Sequence, residues 1–125
     1  MHMSDKPVAE RLQVKASRRL AVIDAPAGLD TTVGAAEARA DAAEAEVVLL
    51  FVEGRAALDA RLPPLLAQTH GDAILWIAYP KLTSKLAGDL NRDIIHAASP
   101  GFGLTPVAQI AIDADWSALR MKRVG

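Results

Sequence analysis

The chain has 125 residues, no cysteine and a formal net charge of −1 at pH 7. This length is typical of one domain with a sizeable core, the lack of cysteine excludes disulfides and thiolate metal sites, and the near-zero charge argues against a dedicated binder of nucleic acids. No apolar run approaches the roughly 20 residues that span a bilayer, so we expect no membrane partner and a cytoplasmic location. We expect one α/β domain over residues 1–125, of which residues 1–6 are flexible.

The first predicted elements are a short amphipathic helix over residues 7–14 and a buried strand over residues 20–23. Val8 and Leu12 lie one helical turn apart, which predicts a helix with one apolar face. The continuous apolar run at 20–23 is typical of a strand that is covered on both faces. The strand ends before Asp24-Ala-Pro-Ala-Gly28, because proline has no N–H group to donate to a sheet.

Residues 29–46 allow two interpretations. Residues 34–46 are rich in alanine and glutamate, which favours a helix. Alternatively, a short helix at 29–33 precedes a weak edge strand at 36–39.

A second buried strand is predicted at residues 47–52 and a third at 73–79, with a helix between them. One face of that helix carries leucines at the spacing of helical turns: Leu58, Leu62, Leu65 and Leu66. Pro63 and Pro64 remove two backbone donors, which predicts a kink or a break at that point.

The C-terminal third predicts a helix followed by a hairpin. Asp89 is a natural N-cap, and the helix after it has a buried stripe: Leu90, Ile94, Ile95 and Ala98. Residues 107–112 and 116–124 are strand-like and flank an acidic turn at 113–115. A three-residue connection cannot make a parallel crossover, so this pair must be antiparallel. The alternating strands and helices before it imply parallel pairing. We therefore predict an α/β fold with a three-layer, Rossmann-like mixed sheet, mostly parallel with a C-terminal antiparallel hairpin.

Several polar residues follow the predicted strands and should gather at one edge of the sheet, where ligands bind in open α/β folds. The candidates for a ligand-binding edge are Tyr79, Lys81, Asp89, Asn91, Arg92, Asp113 and Trp116. A helix N-terminus, a lysine and an arginine together favour a small anion. The alternative, which we favour from the sequence, is a structural clasp in which Asp89 caps its helix and Arg92 pairs with Asp113 or Asp93.

Other chemistries have little support in the sequence. His70 and His96 have no second ligand at helical spacing, so no metal site is predicted. The serines lack the surroundings of a hydrolase nucleophile, so no catalytic residue is assigned. The sequence has only a thin basic patch, made of Arg18, Arg19, Arg120 and Lys122, so no nucleic-acid partner is expected.

The chain resembles a bacterial family of small proteins that is defined as a domain of unknown function. The matching strings are Ile23-Asp-Ala-Pro26, Val48-Leu-Leu-Phe-Val52, Trp76-Ile-Ala-Tyr-Pro-Lys81, Asp89-Leu-Asn-Arg-Asp93, Pro106-Val-Ala-Gln109 and Trp116-Ser-Ala-Leu-Arg120. This resemblance favours the short helix at 29–33 over the long helix at 34–46. More distantly, the layout is similar to a truncated class I, S-adenosylmethionine-dependent methyltransferase, a resemblance that implies the methyltransferase-like sheet.

The resemblance does not extend to the cofactor. The first turn has one glycine, Gly28, and a proline that cannot donate to a ligand. Glu37 or Asp41 would have to supply the ribose carboxylate, at an unsuitable spacing. We therefore expect no cofactor and no methyltransferase activity.

Two hypotheses for function follow. The first is a non-enzymatic binding or interaction module, and the second is an enzyme or sensor that binds a nucleotide-like or acidic small molecule at the edge with Tyr79, Lys81 and Arg92. A homodimer is also expected, because residues 30–46 cover the side of the first strand only thinly.

Overall fold

Five strands form one sheet in the computed structural model, which describes residues 6–15 and 17–124. The strands are β1 (Leu20–Ile23), β2 (Val47–Phe51), β3 (Ile74–Pro80), β4 (Leu104–Ala111) and β5 (Trp116–Arg123). The helices are α1 (Val8–Arg11), α2 (Leu29–Val33), α3 (Arg55–Gln68) and α4 (Arg92–Ala98). The predicted flexibility of residues 1–6 concerns a segment that, apart from Lys6, lies outside this range.

The strand order across the sheet is β1-β2-β3-β5-β4. β1, β2 and β3 pair in parallel, whereas β5 runs antiparallel to both β3 and β4. The C-terminal hairpin therefore inserts its second strand between β3 and its first strand. As a consequence β4, and not β5, forms the outer edge of the sheet.

The predicted three-layer, mostly parallel Rossmann-like sheet is wrong. The parallel pairs join four and five residues, but the antiparallel pairs join six and seven. One face of the sheet is covered by α3 and α4, while the described residues place only α1 and α2, of four and five residues, on the other. Two such short helices do not make the full helical layer of a doubly wound fold.

The connection between β1 and β2 explains the thin layer. α2 forms at Leu29–Val33, as the second interpretation predicted, but the expected strand at 36–39 is instead a 3₁₀ turn at Ala36–Ala38. Arg39 makes a single parallel bridge to Leu20. Its guanidinium also pairs with Asp30 at 2.6 Å and donates to the Gly34 carbonyl at 2.8 Å. These tertiary contacts override the helical propensity of the alanines and glutamates.

A kink or a break was predicted at Pro63 and Pro64, and the break is wrong, because α3 continues through both prolines. Proline removes the N–H groups that would bond to the carbonyls of Asp59 and Ala60. Both of those residues are exposed, so water can satisfy their carbonyl groups. Leu58, Leu62 and Leu65 meanwhile remain buried against the sheet.

The core lies on both faces of the sheet. On one face Leu50, Ile77 and Leu119 pack against the leucines of α3 and Ile95 of α4. On the other, Trp76 packs with Leu12 and the residues of α2. Trp76 is almost fully buried and donates its indole N–H to the carbonyl of Leu12 at 3.0 Å. This hydrogen bond fixes the N-terminal segment to the third strand.

Asp89 caps a different helix from the one predicted. Its Oδ1 accepts a hydrogen bond from the backbone N–H of Arg55, the first residue of α3, at 2.9 Å. The residue before Arg55 is Gly54, which has no side chain to cap the helix itself. A Cβ at position 54 would lie only 2.8 Å from Asp89 Oδ1. Glycine therefore leaves the space in which a distant carboxylate caps α3.

We expect Gly54→Ala and Asp89→Ala each to lower the free energy of unfolding by about 1 kcal/mol, because both remove the cap. The two effects should not add, since in the Asp89→Ala background the alanine methyl meets no carboxylate. Urea denaturation followed by circular dichroism measures all three variants. Fully additive losses would show that the close approach of Asp89 does not explain why residue 54 is a glycine.

Candidate functional site

A cleft of about 700 Å³ opens at the end of β3, between the segment after that strand, the start of α4 and the outer strand β4. Its polar lining residues are Tyr79, Lys81, Thr83, Asn91, Arg92, Asp93, Gln109 and Ser117. Leu82, Ile110 and Ala111 supply the apolar part of the lining. The volume is in the range of small-molecule sites, and the lining has the expected mixture of apolar surface and a few polar groups.

Tyr79 and Ser117 form the floor of the cleft. They are paired opposite each other on β3 and β5, so their side chains leave the sheet on the same face. Burial raises the pKa of Tyr79 above its ordinary value, and the Arg92 guanidinium and the Ser117 hydroxyl offset only part of this rise. At neutral pH the phenol is therefore protonated and available as a hydrogen-bond donor.

Arg92 and Lys81 bring two positive charges to the cleft. The nearest carboxylate oxygen to Arg92 Nε is that of its neighbour Asp93, at 3.7 Å, and the two side chains are 59% and 87% exposed. A contact of this length between exposed groups neutralises little charge. The predicted clasp between Arg92 and Asp113 does not form, because Asp113 Oδ1 accepts from the N–H groups of Asp115 and Trp116 instead.

Asn91 lies at the start of α4 and takes the capping role that the sequence assigned to Asp89. Its Oδ1 accepts from the N–H of Ile94 at 3.0 Å. The side-chain amide N–H groups remain as donors on the cleft side. α4 has only seven residues and one of its first N–H groups is already bonded, so the expected attraction of anions to a helix N-terminus contributes little here.

The segment after β3 is fixed to the hairpin turn. The backbone N–H of Lys81 donates to the carbonyl of Asp115 at 2.8 Å. Ser84 donates its hydroxyl to Asp115 Oδ1 at 2.8 Å. These bonds place Lys81 at the cleft, while Leu82 remains 70% exposed beside it.

Four of the seven predicted edge residues line the cleft, namely Tyr79, Lys81, Asn91 and Arg92. The other three have structural positions. Asp89 caps α3, and Asp113 closes the hairpin turn. Trp116 is buried on the opposite face, where its ring meets the ring of Phe51 edge-on at 5.3 Å between centroids.

Sequence reasoning missed two polar residues of the cleft that lie on the hairpin, Gln109 and Ser117. Both lie within predicted strands, and not after strand ends, so the rule that gathered the other residues could not select them. One signal was present, since Gln109 is the only long polar side chain among the apolar residues 107–112. Thr83 and Asp93 were also missed, although each is adjacent to the predicted set.

A second, smaller concavity of about 370 Å³ lies beyond the ends of β1 and β2. Asp24, Glu53 and Arg61 line it, and Arg61 Nε lies 3.5 Å from Asp24 Oδ2. Gly28 has the positive φ of 85° that glycine favours and begins the short α2. Glu37 lies on the 3₁₀ turn and is not among the lining residues.

Within residues 6–15 and 17–124, no group of three or more His, Cys, Asp or Glu residues has the geometry to hold a metal ion. The same part of the chain has no helix that is long and apolar enough to cross a membrane. No family model matches the sequence, and no curated protein is significantly similar to it. The resemblance to the bacterial family therefore stays a prediction.

Tyr79 is the only tyrosine of the chain, so alkaline titration of tyrosinate absorbance reports on it alone. We expect its midpoint above the ordinary value of about 10. Because the folded-state pKa is raised, the contribution to stability is complete below pH 10 and is lost as pH rises through the folded-state value. Comparison with Tyr79→Phe isolates this loss from the titration of lysines. A midpoint at or below 10 would contradict the burial of the phenol.

Proposed function

We propose that the protein is a binding module for a small anionic molecule, which it holds in the cleft around Tyr79 and Arg92. The observation that carries this proposal is the unbalanced charge of the lining. The lining contains two cations, Arg92 and Lys81, but only one carboxylate, that of Asp93, which is largely exposed. An arginine that had a structural role would instead be paired with a buried carboxylate or with carbonyl groups, as Arg39 is.

The donors around these cations favour a carboxylate or phosphate group. The Tyr79 phenol, the Asn91 amide and the Ser117 hydroxyl can each donate a hydrogen bond. Hydrogen bonds to a charged acceptor are roughly twice as strong as those between neutral groups. Leu82 and Ile110 offer apolar contact to the remainder of the ligand. The best-matched ligand is thus a small organic acid or phosphate ester with a short apolar portion.

The residues that line the cleft fit a binding role better than a catalytic one. Ser117 and Thr83 carry hydroxyl groups, but the lining residues include no histidine that could activate them as nucleophiles. The protein thus combines the binding role of the first hypothesis with the acidic ligand of the second.

A panel of matched ligands tests the proposal by thermal shift and isothermal titration. Inorganic phosphate, acetate and succinate are compared with acetamide and succinamide, which have similar shape but no charge. We expect the anions to raise the melting temperature with increasing concentration and the amides to have no effect. Equal shifts with charged and neutral ligands, or none at all, would refute an anion site.

A further inference from the structure

The floor of the cleft carries a hydrogen-bond donor that has no acceptor within the described residues. Tyr79 and Ser117 are paired opposite each other and are only 3% and 4% exposed. At most, their two hydroxyl groups bond to each other, which uses one O–H group and leaves the second O–H without an acceptor. A donor buried to this degree is costly to leave unpaired. Its acceptor therefore has to come from the molecule that occupies the cleft.

Arg92 and Asp93 present opposite charges side by side at this floor. Arg92 Nε lies 3.7 Å from Asp93 Oδ1, and both side chains line the cleft. Burial is the main reason that the pKa of Tyr79 is raised, but Arg92 lowers this pKa and Asp93 raises it, so both charges act on the floor. An anion that binds Arg92 also meets the carboxylate of Asp93, which repels it unless the same molecule carries a positive charge.

The third charged side chain of the described lining is Lys81, which lies on the segment after β3 and not on α4. The described lining thus has two positive charges and one negative charge, and the negative charge is adjacent to one of the positive ones. A complementary ligand has two negative charges and one positive charge, again with one adjacent pair. Aspartate and glutamate have this pattern, because their ammonium group and one carboxylate share a carbon, and a short methylene chain leads to the other carboxylate.

We propose that the cleft binds a free acidic α-amino acid. The α-carboxylate binds Arg92 and accepts the free O–H of the floor, the ammonium group binds Asp93, and the side-chain carboxylate binds Lys81. The methylene chain contacts Leu82 and Ile110, which supply apolar lining. The inference rests on the proposed function, because it names the class of anion that the same cleft holds.

Isothermal titration with acidic amino acids and their matched analogues tests the proposal. L-aspartate and L-glutamate carry all three charges. Succinate and glutarate lack the ammonium group, and L-asparagine and L-glutamine lack the side-chain carboxylate. We expect the tighter of the two acidic amino acids to bind about tenfold more tightly than both of its analogues, since each analogue leaves one charged group of the cleft without a partner. A dicarboxylate that binds as tightly as its amino acid would overturn the proposal.

Asp93→Asn should change the affinities for the two kinds of ligand in opposite directions. Binding of the acidic amino acid should weaken by about tenfold, because the ammonium group loses its partner, whereas binding of succinate and glutarate should become tighter, because a repelling charge is lost. The Asp93 side chain is 87% exposed, so the folded state does not depend on it. Asp59→Asn removes an exposed aspartate outside the cleft and should leave every affinity unchanged. If Asp93→Asn weakens both kinds of ligand equally, the ammonium group does not bind there and the proposal is wrong.

Lys81→Met tests the position of the second carboxylate. This variant should cancel the difference in affinity between the acidic amino acid and its amide, and a difference that persists would overturn the proposal. Failure of the inference can be told apart from failure of the proposed function. If phosphate or succinate binds at the cleft and neither amino acid binds more tightly, only the amino acid assignment is wrong. If none of these anions binds, both are wrong.

Discussion

Trp76→Ala is expected to lower the free energy of unfolding by about 3–5 kcal/mol, because it removes a large buried side chain. The side chain is nearly fully buried between β3 and the N-terminal segment. Its removal leaves a cavity and also leaves the carbonyl of Leu12 without its hydrogen bond. For a domain whose total stability is typically about 5–15 kcal/mol, this is a large fraction. Urea denaturation followed by far-ultraviolet circular dichroism measures the loss.

Trp76→Phe separates the hydrogen bond from the packing. It should cost about 1–3 kcal/mol, because the buried Leu12 carbonyl stays unsatisfied. Trp116→Phe is the matched control, since Trp116 is equally buried but its ring has no hydrogen bond to the described residues. Hydrogen exchange at residues 8–12 should accelerate only in Trp76→Phe. Equal acceleration in both variants would show that the indole N–H does not hold the N-terminal segment.

Arg92→Ala is expected to weaken anion binding by about tenfold to a hundredfold while leaving the stability of the free protein nearly unchanged. Loss of a hydrogen bond between charged groups costs about 1.5–3 kcal/mol of binding free energy, and each 1.4 kcal/mol is about a factor of ten. The exposed contact with Asp93 contributes at most about 1 kcal/mol to folding. The sequence-based clasp hypothesis led to the opposite expectation, a clear loss of stability.

Arg61→Ala is the control for this substitution. Arg61 is as exposed as Arg92, at 62% against 59%, and its ion pair with Asp24 is of similar length. It lies at the second concavity, away from the cleft. We expect unchanged anion affinity in this variant. If both variants lose affinity equally, the effect comes from net charge and not from a site.

The sequence predicts the elements of this protein better than their assembly. The buried strands could be predicted because short continuous apolar runs such as Val47–Phe51 are typical of strands covered on both faces. The thin helical layer on one face could not be predicted, since it depends on how the connection between β1 and β2 folds. Arg39 holds that connection through contacts with Asp30 and Gly34, and no local propensity reports such contacts.

In the candidate site, too, some residues could be predicted from the sequence, while others depend on tertiary contacts. Tyr79 and Arg92 could be selected because they follow a strand and open a helix, positions that the fold brings to one edge. Asp89 and Asn91 are equally good N-caps by type, and only the space left by Gly54 directs Asp89 to α3. Ser117 reaches the cleft through its pairing opposite Tyr79, which is a matter of strand register. Register across the hairpin is not readable from residue types alone.

Nuclear magnetic resonance is the sharpest test of whether the cleft beside β3 binds an anion. Uniformly ¹⁵N-labelled protein is titrated with inorganic phosphate and with succinate at constant ionic strength. We expect saturable shifts of the amide signals of Tyr79, Arg92 and Ser117, with little change at Asp24 or Arg61. The absence of saturable shifts at the cleft residues with either anion, or shifts confined to the second concavity, would contradict it.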